Sequence, residues 1–159
     1  MNTVRENIIL KFIARGKEII ISSPIQYSTN LGVKDMLRCK YIIAPEQRPC
    51  MVIWPREETS LNKYGKAARN MTIRIEGHQD IISGEEPSVT GEKMLGDIIK
   101  CFSSPDWFNA GSPAPTKYIE SIVYTNGNVA VPKDGDLTVG AYADFSVSYF
   151  TAIGDPYNL

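Results

Sequence analysis

Three residues in the stretch NMTIRIEGHQD, Asn70 to Asp80, have side chains that move protons or hold cations: Glu76, His78 and Asp80. They fall at i, i+2 and i+4, which puts them on one face of an extended chain. A carboxylate, imidazole and carboxylate in a row suit general acid–base work, because imidazole titrates nearest neutrality. His78, however, is the only histidine. A transition metal wants more neutral ligands than that, and a nucleophile would have to come from elsewhere in the fold. GxSxG, HExxH and the Walker pattern are absent, and Gly91 and Gly96 lie inside a helical pattern rather than ahead of one. Cys39, Cys50 and Cys101 are too widely spaced for a zinc site or a disulfide framework and read as free thiols. The expectation is therefore a satisfied surface histidine, with no catalytic, cofactor-binding or metal-binding residue.

The elements that would position these residues come from periodicity. Met71, Ile73, Ile75 and Gly77 alternate with Thr72, Arg74, Glu76 and His78, so the stretch reads as a strand with one buried face. Thr3 and Glu6 have capping-box spacing, and Val4, Ile8, Phe12 and Ile19 make an apolar stripe, which predicts a helix over about residues 3–20. RCKYII, 38–43, reads as a strand, and Cys50 to Trp54 as a second one bounded by Pro49 and Pro55. Residues 55–68 read as a polar loop. Pro87 opens a second helix whose apolar stripe is Met94, Leu95, Ile98, Ile99 and Phe102. Gly96 within it signals either close approach to a sheet or a tolerated glycine.

Residues 103–116 read as a loop displaying Trp107 and Phe108, either tucked onto the core or offered as an adhesive contact. A hairpin closes the chain. Its first arm is Tyr118 to Tyr124, Asn126-Gly127 and Asp134-Gly135 are turn signals, and its return arm alternates from Thr138 to Thr151. That arm is long enough to outrun its partner and leave free edge positions. Element order α-β-β-β-α-β-β predicts an α+β fold: a mixed, mainly antiparallel sheet with two helices on one face.

The composition, 43% apolar and 22% charged over 159 residues, suits one domain spanning 1–159 with a substantial core. The N-terminal stretch has neither the apolar run of a signal peptide nor that of a membrane span. The formal net charge of −1 conceals a basic stretch and an acidic one. Lys34 to Arg74 contains nine Lys/Arg against four Asp/Glu, and Ile75 to Leu159 four against twelve. Folding either mixes these signs or leaves two surfaces of opposite sign suited to head-to-tail contact. A nucleic-acid binder would be clearly basic.

Five pieces taken in order, TVRENIILKFIARG, PCMVIWPREE, MTIRIEGHQD, GEKMLGDIIKCF and ADFSVSYFTAIGDPY, resemble the lambda-type tail terminators of tailed bacteriophages. The closing piece carries Tyr149, Thr151, Gly154, Asp155 and Pro156, while 22–37 and 103–116 lie outside the likeness. The resemblance implies a virion protein assembled in the host cytoplasm. It would be a homo-hexameric ring that caps the head-proximal end of the tail tube, stops tube polymerisation and offers a surface to the neck or connector. It further implies contact with the sheath where the tail is contractile, DNA passing through the lumen without specific binding, and no cofactor, catalytic residue or membrane. Neighbouring roles are a head–tail connector or a tail-completion adaptor. A generic binding module and an enzyme built on His78 complete the alternatives.

A ring of identical subunits needs two different complementary patches. The charge pattern nominates Arg48, Arg56, Lys63, Lys66 and Arg69 for one, and Glu85, Glu86, Asp134 and Asp136 for the other. Tyr142, Asp144 and Phe150, on the mixed face of the closing strand, are further contact candidates. Partners of a different kind would meet the loops 55–68 and 103–116, with Trp107 and Phe108, and the final turn with Asp155 and Tyr157.

Overall fold

The computed structural model describes residues 2–63, 65–104, 119–130, 132 and 136–158, with the backbone alone for 61–63. In chain order it runs α1 (Val4–Gly16), β1 (Leu37–Arg38), a short 3-10 turn (Pro45–Gln47), β2 (Cys50–Lys63), β3 (Lys66–Asp80), α2 (Pro87–Ser103), β4 (Ile119–Ala130) and β5 (Thr138–Ala152). The strands form one five-stranded sheet in the order β1-β2-β3-β5-β4. β1 pairs parallel to β2, and every other neighbour is antiparallel. This is the α+β class and the element order that periodicity predicts. Trp107, Phe108, Tyr118 and Asp134 lie outside the described residues, as does the side chain of Lys63.

Both helices cover one face. Phe12 of α1 stacks on Phe102 of α2 with ring centroids 5.2 Å apart, and Phe145 of β5 meets Phe102 edge-on at 5.8 Å. Beneath them lie Met51, Ile53, Met71, Ile73, Ile75, Ala143 and Val147, all buried. On β5 the alternation holds to the end: Val139, Ala141, Ala143, Phe145, Val147, Tyr149 and Thr151 are all buried. Among the described residues no helix is long and apolar enough to cross a membrane. The cysteines are free, Cys39 exposed and Cys50 and Cys101 buried.

Thr3 caps α1 as its spacing predicts, its hydroxyl accepting from the Glu6 N–H at 3.1 Å. The helix stops at Gly16 rather than near residue 20 because the chain returns across its end. A Cβ on Gly32 would lie 2.5 Å from the Gly16 carbonyl oxygen, and one on Gly16 would lie 2.5 Å from Met36 Cε. The returning loop is pinned to α2. Asp97, buried, accepts from the Ser28 and Thr29 N–H groups and from the Thr29 hydroxyl, the last two at 2.7 Å.

Four sequence expectations are corrected. Pro55 does not end its strand: β2 continues to Lys63 through a register shift between Pro55 and Glu58. Proline is tolerated there because β1 pairs only with Val52 and Ile53, which leaves the outer side of β2 without a described strand. Residues 55–63 and 65–68 therefore form no loop but belong to the distal half of the β2–β3 hairpin, with Gly65 at φ +76° in its turn. The strand expected over 38–43 shrinks to Leu37–Arg38, since Cys39 at φ +49° turns the chain away. Asn126-Gly127 lies inside β4 beside a register shift. β5 does outrun the arm it was expected to pair with, since β4 covers it only from Gly140 to Tyr149, but on its other side β3 pairs with it from Thr138 to Ala152.

Gly91 and Gly96 separate the two uses of a helical glycine. A Cβ on Gly91 would lie 2.2 Å from Val129 Cγ1, whereas one on Gly96 meets nothing within 4 Å. Close approach to the sheet thus belongs to Gly91. Gly91→Ala is expected to cost about 1–3 kcal/mol in urea unfolding by overpacking, while Gly96→Ala gains about 0.5–1 kcal/mol from helix propensity. Equal effects at the two sites would contradict this packing.

Candidate interaction surface

No described helix covers the opposite face of the sheet, and its centre is a charged pair. Arg74 and Asp144 stand directly opposite each other in the β3–β5 register. Arg74 Nε and Nη2 donate to the two Asp144 carboxylate oxygens at 2.7 and 2.8 Å. The guanidinium also lies 4.0 Å from the centre of the Tyr142 ring. The hydrogen bonds to Asp144 raise the Arg74 pKa further, so this cation is fixed. Nearby, the Ser146 hydroxyl donates to Asn70 Oδ1 at 2.9 Å.

The acid–base row does not assemble. His78 Nε2 is 3.5 Å from Glu76, but Asp80 is taken by Arg48 at 2.7 Å. Burial alone would push the Glu76 carboxyl up. The His78 and Trp54 N–H groups facing it, helped by Arg74, more than offset this and hold it below the ordinary value. Lys40, Tyr41, Trp54 and Arg56 join Glu76 and His78 around a recess of about 160 Å³. Its wall is aromatic, with the Tyr41 and Trp54 rings 4.5 Å apart. Among the described residues no three His, Cys, Asp or Glu side chains gather as a metal site.

A second charged cluster ties the chain ends together on the helix side. Glu58 accepts from Arg69 Nη1 at 2.7 Å and from the Tyr149 hydroxyl, and it stands 3.6 Å from Arg5 Nε. Arg69 Nε reaches the Thr151 hydroxyl at 3.0 Å. The Val4 N–H donates to the Pro156 carbonyl at 2.9 Å, so the final turn seats on the start of α1. Asp155 closes that turn by accepting from the Tyr157 N–H and the Asn158 amide, which hold its carboxyl below its ordinary range.

The residues nominated from sequence fall into two groups. Arg48, Arg69, Glu85 and Asp144 are engaged within the chain, with Asp80, Glu58, Lys93 and Arg74 respectively. Arg56, Lys66, Glu86, Asp136 and Tyr157 are exposed, while Tyr142 and Phe150 are half-buried. Arg48–Asp80 and Arg74–Asp144 each join the basic stretch to the acidic one, so the signs partly mix within the chain.

Among the described residues, the most exposed large apolar side chains were not nominated: Tyr41, Ile42 and Leu137, at 88%, 83% and 77% exposure. Tyr41 and Ile42 sit in a stretch that sequence places in a strand, where half its residues would be buried. Leu137 carried a usable signal, a lone large apolar residue straight after the turn sequence Asp134-Gly135-Asp136. Compared with known proteins, the chain matches no family model and no curated protein.

Two predictions follow from the charged face. Arg74→Ala and Asp144→Ala should each cost about 2–4 kcal/mol, because each strands the other charge. Their double-mutant cycle in urea should show a coupling of about 1–3 kcal/mol, and a coupling near zero would refute the pair. Glu76, whose folded-state pKa lies below the ordinary 4.5, contributes stability above that pH. That contribution is lost as pH falls through the depressed folded value. Glu76→Gln should therefore flatten part of the acid limb of a stability-against-pH curve.

Proposed function

We propose that the chain is a ring-forming structural protein of a phage tail, a terminator that caps the head-proximal end of the tail tube and offers a surface for head or neck joining. What supports this is a surface suited to contact. Tyr41, Ile42 and Leu137 are exposed at 88%, 83% and 77%, a degree of apolar exposure that marks an interaction site when such residues cluster. The groups best suited to chemistry are instead engaged locally: Asp80 with Arg48, Asp144 with Arg74, and Glu76 beside the single histidine. The ordered likeness to lambda-type terminators supplies the specific role. On this reading the partners are other copies of the chain, the tube protein, the neck or connector and, in a contractile tail, the sheath. DNA crosses the lumen without specific binding.

Electron micrographs of particles assembled without this protein test the role. Overlong tail tubes are expected. Tubes of normal length that fail to join heads would overturn the terminator assignment in favour of a connector or tail-completion adaptor. Native mass spectrometry of the purified chain should find a closed oligomer with the mass of six copies.

A further inference from the structure

We infer that neighbouring copies meet head to tail, with the 81–86 loop and Leu137 of one copy seated on the Tyr41–Trp54 shelf of the next. The inference rests on the ring reading and names the contact that would build the ring.

The shelf is apolar with a basic rim. Tyr41, 88% exposed, lies against the half-buried Trp54, and the exposed Lys40 and Arg56 line the same recess; Ile42, next in the chain, is 83% exposed. Lys40 Nζ donates to Gln47 Oε1 at 2.9 Å. Among the described residues neither cation has a carboxylate partner. Two carboxylates line the same recesses: Glu57, exposed beside Arg56, and Glu76, which faces His78 at 3.5 Å.

The lip is apolar with an acidic rim. Leu137 and Ile82 are exposed at 77% and 49%. They are held together by the backbone: the Ile81 N–H donates to the Leu137 carbonyl at 3.0 Å, and the Glu85 N–H to the Ile82 carbonyl at 3.1 Å. Gly84 turns the loop at φ +86°, and Glu86, at the end of that loop, and Asp136, next to Leu137 in the chain, are exposed; the cations lining the same recesses, Arg48 with Leu137 and Lys93 with Ile82, are held by Asp80 and Glu85.

Charge decides which patch takes which. Shelf against shelf would bring the Lys40 and Arg56 cations together, and lip against lip would oppose Glu86 and Asp136 to themselves. Shelf against lip buries both apolar pairs with opposite rims facing, which is both attractive and register-fixing. Such a contact uses different patches on the two copies, so each copy keeps one free shelf and one free lip until a ring closes.

The test uses the full-length chain in sedimentation velocity. Reversing the shelf (Lys40→Glu with Arg56→Glu) or the lip (Glu86→Lys with Asp136→Lys) should each weaken self-association about tenfold or more. All four changes in one chain should restore it, as should an equimolar mixture of the two reversed chains, because each then finds its complement. Restoration also excludes misfolding as the cause of the loss. Independently, in a Cys39→Ser background, an Ile42→Cys chain mixed with a Leu137→Cys chain should be joined by a short bis-maleimide. An oligomer that forms normally in both reversed chains, without a 42-to-137 cross-link, overturns this contact and leaves the ring reading standing. A wild-type chain that stays monomeric at every concentration overturns both.

Discussion

Register along β5 governs the rest of the molecule. The strand is paired over its whole length on one side by β3 and over most of it on the other by β4. It therefore decides which side chains of three strands face the helices. A slip of one residue would exchange Phe145 and Val147 for Asp144 and Ser146, moving a carboxylate under α2 and the aromatic core into water. Arg74 opposes Asp144 only in the observed register. The ion pair thus makes its largest contribution as a specificity device: a slipped sheet would strand a guanidinium and a carboxylate with no partner.

The same economy runs through the outer face and the chain ends. Arg48, Arg69 and Arg74 each close on a carboxylate from another part of the chain, and Glu58 gathers Arg69, Tyr149 and Arg5 where the β2–β3 hairpin meets α1 and the final turn. Charges held in this way position backbone but have little capacity to recognise anything else. Recognition, on the proposed reading, falls to the exposed remainder, namely large apolar groups at the margins of the sheet with a few exposed ions near them. On the proposed reading the charged face stiffens the subunit, and the margins make the contacts.

Much of the fold was legible because its signals are local. Alternation from Val139 to Thr151, the Thr3 cap with its apolar stripe and Pro87 at a helix start all depend on near neighbours in sequence. What was illegible depended on distant residues. Pro55 looks like a strand end until β1 proves too short to demand its missing N–H. Asn126-Gly127 looks like a turn until β5 holds both residues in a ladder. Gly16 ends a helix because Gly32 crosses it, sixteen residues away in sequence. The interaction surface divides in the same way. Alternation correctly put Tyr142 and Asp144 on the mixed face but had no means of finding Arg74 as their partner. Tyr41 and Ile42 were hidden by a strand that Cys39 cuts short.

The charge asymmetry of the sequence survives folding only in part, and the part that survives is informative. Two ion pairs cancel basic against acidic residues across the sheet, which removes Arg48, Arg74, Asp80 and Asp144 from the surface balance. Exposed Lys40 and Arg56, with Glu57 beside Arg56, lie at one site, and exposed Glu86 and Asp136 at another. Each remnant borders an exposed apolar pair, although charge and hydrophobicity are set by different residues. An apolar patch alone is sticky towards any other, including its own image in a second copy. A rim in which one sign predominates disfavours that image and favours the complement, so opposite rims would turn non-directional attraction into an ordered, head-to-tail contact. A subunit that must form a closed ring rather than an aggregate needs that distinction.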